Sequence, residues 1–120
     1  MQEMLVFNLS RTKLLCSQAK YANRFFSRLI GLLGKKELLE GEGLIIYPCN
    51  MVHSLGMRMR IDVLFLNKTH EVVYGMERMP PNKISPRIKD ASYVIELPAG
   101  VISQTNTALG DNILCQAIAR

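Results

Sequence analysis

The sequence predicts an α+β fold that is mostly β: a small, partly closed β-barrel of short antiparallel strands with one main helix packed against it. Two observations carry this prediction. Seven or eight short apolar runs recur along the 120 residues, separated by segments rich in glycine, proline and asparagine. A single stretch has apolar residues at steps of three and four, the spacing of an amphipathic helix. A helix placed over one barrel opening would bury its apolar stripe and protect strand edges.

The first predicted elements are two strands and this helix. Residues 4–9 and 14–17 are predicted strands, and the polar residues 10–13 between them indicate a hairpin. The helix is predicted over residues 21–33, because the apolar positions recur at helical spacing while Arg24, Ser27 and Arg28 occupy the other face. Gly34 suits the C-terminal end of a helix.

Four predicted strands then follow at short intervals, at residues 44–47, 51–55, 61–66 and 71–76, and are expected to form a meander. The run 61–66 is apolar on both faces apart from Asp62, which predicts a central strand. Residues 79–90 contain three prolines and predict an exposed irregular loop. Residues 92–97 and 113–119 are the last predicted strands.

Composition predicts a single domain over residues 1–120, since 48% hydrophobic and 21% charged residues are ordinary for a globular protein. No segment is long and apolar enough to cross a bilayer, and the N-terminus does not read as a signal peptide, so a cytoplasmic location is expected. The three cysteines, Cys16, Cys49 and Cys115, are an odd number without close pairing, which argues against a disulfide framework.

The net charge of +5 is unevenly distributed, with nine Lys/Arg against four Asp/Glu in residues 1–60. A basic face of this kind could attract nucleic acid, an anionic membrane or an acidic partner. The basic residues are spaced singly, tryptophan is absent and aromatics make up 7%, which leaves little for base stacking. Nucleic-acid binding is therefore not expected.

The segment from Pro48 to Asn67 is the densest in side chains that can carry chemistry. If it is extended, Cys49, Met51 and His53 share one face and could offer sulfur and imidazole to Cu(I) or, less well, to zinc. Packing is the commoner role of such alternating residues, so no metal or other cofactor is expected. Cys49 could also be a nucleophile with His53 as its base, although about 13 Å would separate their Cα atoms in an extended strand.

Arginines and one carboxylate suggest a different kind of site. A carboxylate in an apolar strand is costly unless paired, so Asp62 is expected to be held by an arginine or by backbone N–H groups of the Gly56 loop. The simpler interpretation is a structural ion pair. In the functional one, Arg28, His53 and Arg58 meet near Asp62 at one barrel mouth and bind an anionic ligand or a peptide terminus. Asp111, which follows Gly110, is expected to be a turn residue.

Five segments resemble a bacterial and archaeal family called domain of unknown function 192. They are RLIGLL at residues 28–33, Leu38 with GEGL at 41–44, HSLGMRMRIDVLFL at 53–66, VIELPAG at 94–100 and Gly110-Asp111. The resemblance covers roughly residues 16–118. This chain has Arg60 where the family usually has proline, and the export signal that many relatives carry is not expected here. The resemblance implies little about activity, because the family is named for its unknown function.

Together these patterns predict a binding or accessory module that recognises a small anionic ligand or a peptide or partner protein. The alternatives are a small enzyme using the region of His53 and Asp62, or a structural protein with no ligand. Catalysis is less favoured, because His53 and Cys49 are the only side chains here that suit an acid, base or nucleophile role.

Overall fold

A computed structural model describes residues 3–22 and 37–118, in which seven strands form one curled sheet. The strands are β1 (Glu3–Asn8), β2 (Lys13–Ala22), β3 (Glu42–Ile46), β4 (Ile61–Leu66), β5 (Val72–Met79), β6 (Tyr93–Pro98) and β7 (Ile113–Ala117). Their order in the sheet is β5-β4-β6-β3-β2-β1-β7. The two edge strands approach each other at a bridge between Glu71 and Asn112. The predicted mostly-β, partly closed barrel is confirmed as a half-barrel.

The strand connections differ in part from the prediction. β1 and β2 form the predicted hairpin, and β4 pairs with β5. The predicted meander is wrong, because β6 inserts between β3 and β4. The predicted antiparallel orientation is wrong for one pair of strands, because β2 and β3 run parallel. A parallel pair requires a crossover of about a dozen residues or more, and residues 23–41 provide that length.

The helix prediction is not borne out at its start. Tyr21 and Ala22 belong to β2, where they pair with Ile45 and Ile46. The rest of the predicted helix, residues 23–33 with Arg28 among them, lies outside the described residues. The described helix, α1 (Val101–Thr105), was not predicted from the sequence. Within the described ranges, no helix is long and apolar enough to cross a membrane.

Both faces of the curled sheet bury apolar side chains. The concave face holds an interior cluster with residues from all seven strands and from α1: Val6, Leu15, Cys16, Ala19, Ile45, Leu64, Leu66, Val72, Tyr93, Ile95, Leu97, Ile102 and Ile113. The convex face of β3, β4, β5 and β6 holds an outer cluster: Leu38, Ile46, Cys49, Val52, Ile61, Val63, Phe65, Met79 and Val94. Every residue of β4 is buried, because both faces of this strand are covered.

Gly43 stands at a close approach between β3 and β6, which gives a testable prediction. A Cβ at this position would lie 2.9 Å from the Cys16 sulfur and 3.1 Å from the Glu96 carbonyl oxygen. The backbone oxygen cannot move aside cheaply, so Gly43→Ala is expected to cost about 1–3 kcal/mol of unfolding free energy in chemical denaturation. Gly75→Ala is the matched control, because its Cβ would meet no atom closer than 3.8 Å. Equal stabilities of the two variants would contradict the close packing at Gly43.

Candidate functional site

Two long loops lie against each other over the convex face of the sheet. Residues 51–55 run antiparallel to residues 82–86, with an isolated bridge between His53 and Ile84. The Ser54 amide donates to the Lys83 carbonyl at 2.8 Å, and the Ser85 amide donates to the Val52 carbonyl at 2.8 Å. Residues 51–55 were predicted to be a strand of the sheet, and this prediction is wrong. The segment pairs with residues 82–86 instead.

The paired loops separate buried from exposed side chains. Val52, Ser54 and Ser85 are buried, and the Ser54 hydroxyl donates to the Pro80 carbonyl at 2.6 Å. His53 and three apolar residues are exposed instead: Met51 at 38%, Leu55 at 55% and Ile84 at 65%. Apolar side chains with this exposure, gathered on two paired segments, are typical of an interaction surface.

Basic residues lie on the same two loops as these apolar residues. Residues 48–60 and 80–92 together carry five Lys/Arg and a single Asp. Arg60 donates to the Arg78 carbonyl at 3.0 Å. Within the described residues, the exposed side chains of Arg58, Lys83 and Arg87 form no hydrogen bond or ion pair. We call this set of exposed residues the paired-loop surface: Met51, His53, Leu55, Arg58, Lys83, Ile84 and Arg87.

Asp62 is fully buried and is held by backbone amides. One carboxylate oxygen accepts from the Arg78 amide at 2.9 Å, and the other accepts from the Gly100 and Ile102 amides at 3.1 and 2.8 Å. Arg78 lies at an irregularity in the pairing of β4 with β5. The expected backbone donors thus come from β5 and the start of α1, not from the Gly56 loop, and no described arginine side chain pairs with this carboxylate.

Glu96 is a second buried acid, and the sequence analysis treated it only as part of a strand. It pairs with Leu44 on β3 and with Val63 on β4. Burial raises the pKa of Glu96 to about 7. Its carboxyl group forms no hydrogen bond with the described residues. The place of this acid in an otherwise apolar strand, VIELP, is the sequence signal that could have identified it.

Asp111 is more than the turn residue that was expected. Its side chain is buried and accepts from Asn8 Nδ2 at 3.0 Å, Arg11 Nε at 3.0 Å and the Ala108 amide at 2.9 Å. Burial acts to raise the pKa of Asp111, but the hydrogen bonds from Asn8, Arg11 and Ala108 outweigh it, so the pKa lies below its ordinary value. This carboxylate ties β1 to the segment before β7.

The predicted metal and nucleophile arrangements are not assembled. Cys49 is buried and its thiol donates to the Met51 carbonyl at 3.1 Å, whereas Met51 and His53 are exposed. The three candidate ligands therefore do not share a face, because the chain turns at residues 47–50 before it becomes extended. None of the three cysteines forms a disulfide.

The predicted anion-site residues fall into different places. His53 and Arg58 both belong to the paired-loop surface. Asp62 lies on the concave side of β4, because its neighbours Ile61 and Val63 belong to the outer cluster on the convex side. Arg28 lies outside the described residues. Ile84 was not predicted to belong to a site. An apolar residue next to Lys83 in a proline-rich loop was the sequence signal that could have identified it.

Comparison with known proteins supports the sequence resemblance. The model of the family called domain of unknown function 192, described as an uncharacterized group, matches residues 7–115. A UPF0127 protein of Pyrococcus furiosus is 28% identical and covers 90% of this chain and 95% of its own length. A UPF0127 protein of Thermococcus sibiricus is 31% identical over 91% of this chain and 73% of its own length. A crystal structure of a protein of unknown function from Novosphingobium aromaticivorans has a TM-score of 0.75 at 18% identity, covering 93% of this chain and 83% of that one.

Proposed function

This chain belongs to the family called domain of unknown function 192, and we propose that it is a binding module whose paired-loop surface holds an acidic segment of a partner protein. The observation that carries the proposal is that the same two loops hold exposed apolar side chains and basic side chains that pair with none of the described residues. Apolar anchors supply contact area, while cations at the border select a partner of opposite charge.

The distribution of buried acids strengthens the charge argument. Residues 61–120 contain six acidic and six basic residues. Asp62, Glu96 and Asp111 are buried, so they offer no negative charge to a partner. The surface of this half is consequently more basic than its sequence indicates, and Lys83 and Arg87 contribute to that excess.

The proposal assigns separate roles to the surface residues. Arg58, Lys83 and Arg87 pair with carboxylates of the partner, and Leu55 and Ile84 contact an apolar residue between those carboxylates. His53 lies between the apolar residues and adds a hydrogen-bonding group. An acid–base pair of His53 with Asp62 receives no support, because Asp62 is buried on the other side of the sheet.

A peptide-display selection on the purified protein tests this proposal. The recovered peptides are expected to carry Asp or Glu around an apolar residue. The double variant Arg58→Glu with Lys83→Glu should weaken their binding by at least about tenfold, because attraction becomes repulsion. The matched control, Lys13→Glu with Lys20→Glu, makes the same change in net charge on exposed positions of β2 and should bind as the wild type.

Three outcomes would contradict the proposal. Recovered peptides without acidic residues would remove the charge argument. Equal loss of binding in both double variants would indicate attraction by net charge alone. Binding to phosphatidylserine vesicles that is lost only in the loop variant, with no acidic peptide recovered, would assign the surface to a membrane instead.

A further inference from the structure

The outer edge of β5 offers unpaired backbone groups along a short stretch. β5 lies at one end of the sheet, and among the described strands its neighbour is β4 alone. At its start the Val72 amide donates to the Asp111 carbonyl at 2.9 Å, and the Val72 carbonyl accepts from the Gly110 amide at 2.8 Å. At its far end the Arg78 carbonyl accepts from Arg60. Between these points, residues 73–77 have no backbone partner on the outward edge among the described residues.

An apolar cleft of about 270 Å³ opens beside this edge. Its lining includes Leu64, Gly75, Ile102 and Leu109. A Cβ at Gly75 would lie 3.8 Å from Leu64 Cδ2 and 3.9 Å from Ile102 Cδ1, so the missing side chain leaves the floor of the cleft open. The volume is below the range of about 300–1,000 Å³ typical of small-molecule sites, and it suits a single side chain better than a ligand.

The charge at the cleft identifies the complementary partner. Glu77 lines the cleft and is exposed. Gly75 and Glu77 are two residues apart on β5, the interval at which side chains lie on the same face of a strand. A strand laid along β5 would therefore place an apolar side chain near Gly75 and, two residues away, a basic side chain near Glu77.

We propose that an extended segment of a partner protein pairs with the outer edge of β5 and inserts an apolar side chain into the cleft at Gly75, with a Lys or Arg two residues away that contacts Glu77. Main-chain hydrogen bonds supply affinity in such strand addition, and the pocket supplies specificity. This site is separate from the paired-loop surface, and its preference for a basic partner segment is opposite in charge. The two proposals can therefore fail independently.

A peptide titration followed by NMR tests the β5 site. The probe is a synthetic octapeptide that alternates threonine with isoleucine and has one lysine two residues from a central isoleucine. Amide shifts are expected at residues 73–77 and at Leu109. Replacing the central isoleucine by alanine, or the lysine by glutamate, should raise Kd by at least about tenfold, a change of about 1.4 kcal/mol.

Backbone pairing is tested with methylated peptides. N-methyl groups on one set of alternate amides should abolish binding, while methyl groups on the other set should leave it intact, because only one edge of a strand faces its neighbour. Absence of shifts at millimolar peptide, shifts confined to the paired loops, or equal effects of the two methylation patterns would overturn the proposal.

A variant of the protein provides the complementary test. Gly75→Val fills the cleft and should abolish peptide binding. It should not lower stability, because β-branched residues suit strands and the Cβ meets only ordinary contacts. Leu109→Ser changes a residue that is 70% exposed, so it leaves the core intact and should weaken binding. Unchanged affinity in a folded Gly75→Val protein would contradict an occupied cleft.

Discussion

Replacing Asp62 by alanine is expected to lower the free energy of unfolding by about 3 kcal/mol or more. The carboxylate is fully buried and accepts three backbone N–H groups, from Arg78, Gly100 and Ile102. Without it these donors lose their acceptor at the junction of β4, β5 and α1. Stabilities of whole domains are typically about 5–15 kcal/mol, so the loss would be a large part of the total. Chemical denaturation monitored by circular dichroism measures it.

Asp62→Asn separates the role of the acceptors from that of side-chain size. Asparagine keeps the volume but offers one acceptor oxygen and places an NH₂ group against N–H donors, so it is also expected to be strongly destabilising. Asp90→Ala is the matched control for removal of an exposed acid and should have little effect. A loss below about 0.5 kcal/mol for Asp62→Ala would show that the carboxylate does not hold these segments together.

Replacing Glu96 by glutamine is expected to raise stability at pH 8 by up to about 3 kcal/mol, since each pKa unit corresponds to about 1.4 kcal/mol. In the folded chain burial raises the pKa of Glu96 to about 7 from the ordinary 4.5. Between these values the folded state keeps a proton that the unfolded state has released. Stability therefore falls as pH rises from 4.5 to about 7, and above that range this group adds no further slope.

Glutamine resembles the protonated acid, so Glu96→Gln should remove this part of the pH dependence and match the wild type near pH 4.5. Asp111 acts in the opposite sense, because its pKa is lowered in the folded state. Its contribution is present above the ordinary pKa and is lost as pH falls through the lowered value. Denaturation from about pH 2 to 8 measures both effects, with replacement of the exposed Glu77 on β5 by glutamine as the control. An unchanged pH profile in Glu96→Gln would contradict the buried position of this acid.

Much of the strand content could be predicted from local patterns. The hairpin of β1 and β2, the fully buried β4 and the irregular proline-rich loop follow from side-chain alternation, continuous apolar runs and turn residues. The same rules failed at residues 51–55. That segment has the alternation of a strand, but it pairs with residues 82–86 over the outer cluster instead of entering the sheet.

The candidate site could be predicted only in part. His53 and Arg58 were identified because this segment is the densest in side chains that can carry chemistry. Ile84 and Lys83 were not connected with them, because their contact depends on a fold in which residues about thirty apart meet. Asp62 was correctly expected to be buried and partnered, yet the sequence could not indicate which backbone amides would reach it.

The sequence alone determined most of the strand segments, the turns between them and the need of Asp62 for a partner, because these properties depend on neighbouring side chains. Only the tertiary structure decided the insertion of β6 between β3 and β4, the donors to Asp62 and the surface made by the paired loops. Those features rest on contacts between distant residues, such as Asp62 with Ile102, 40 positions apart, and Ser54 with Lys83, 29 positions apart. Burial and backbone hydrogen bonding over the whole chain select these contacts, and local periodicity carries no information about them.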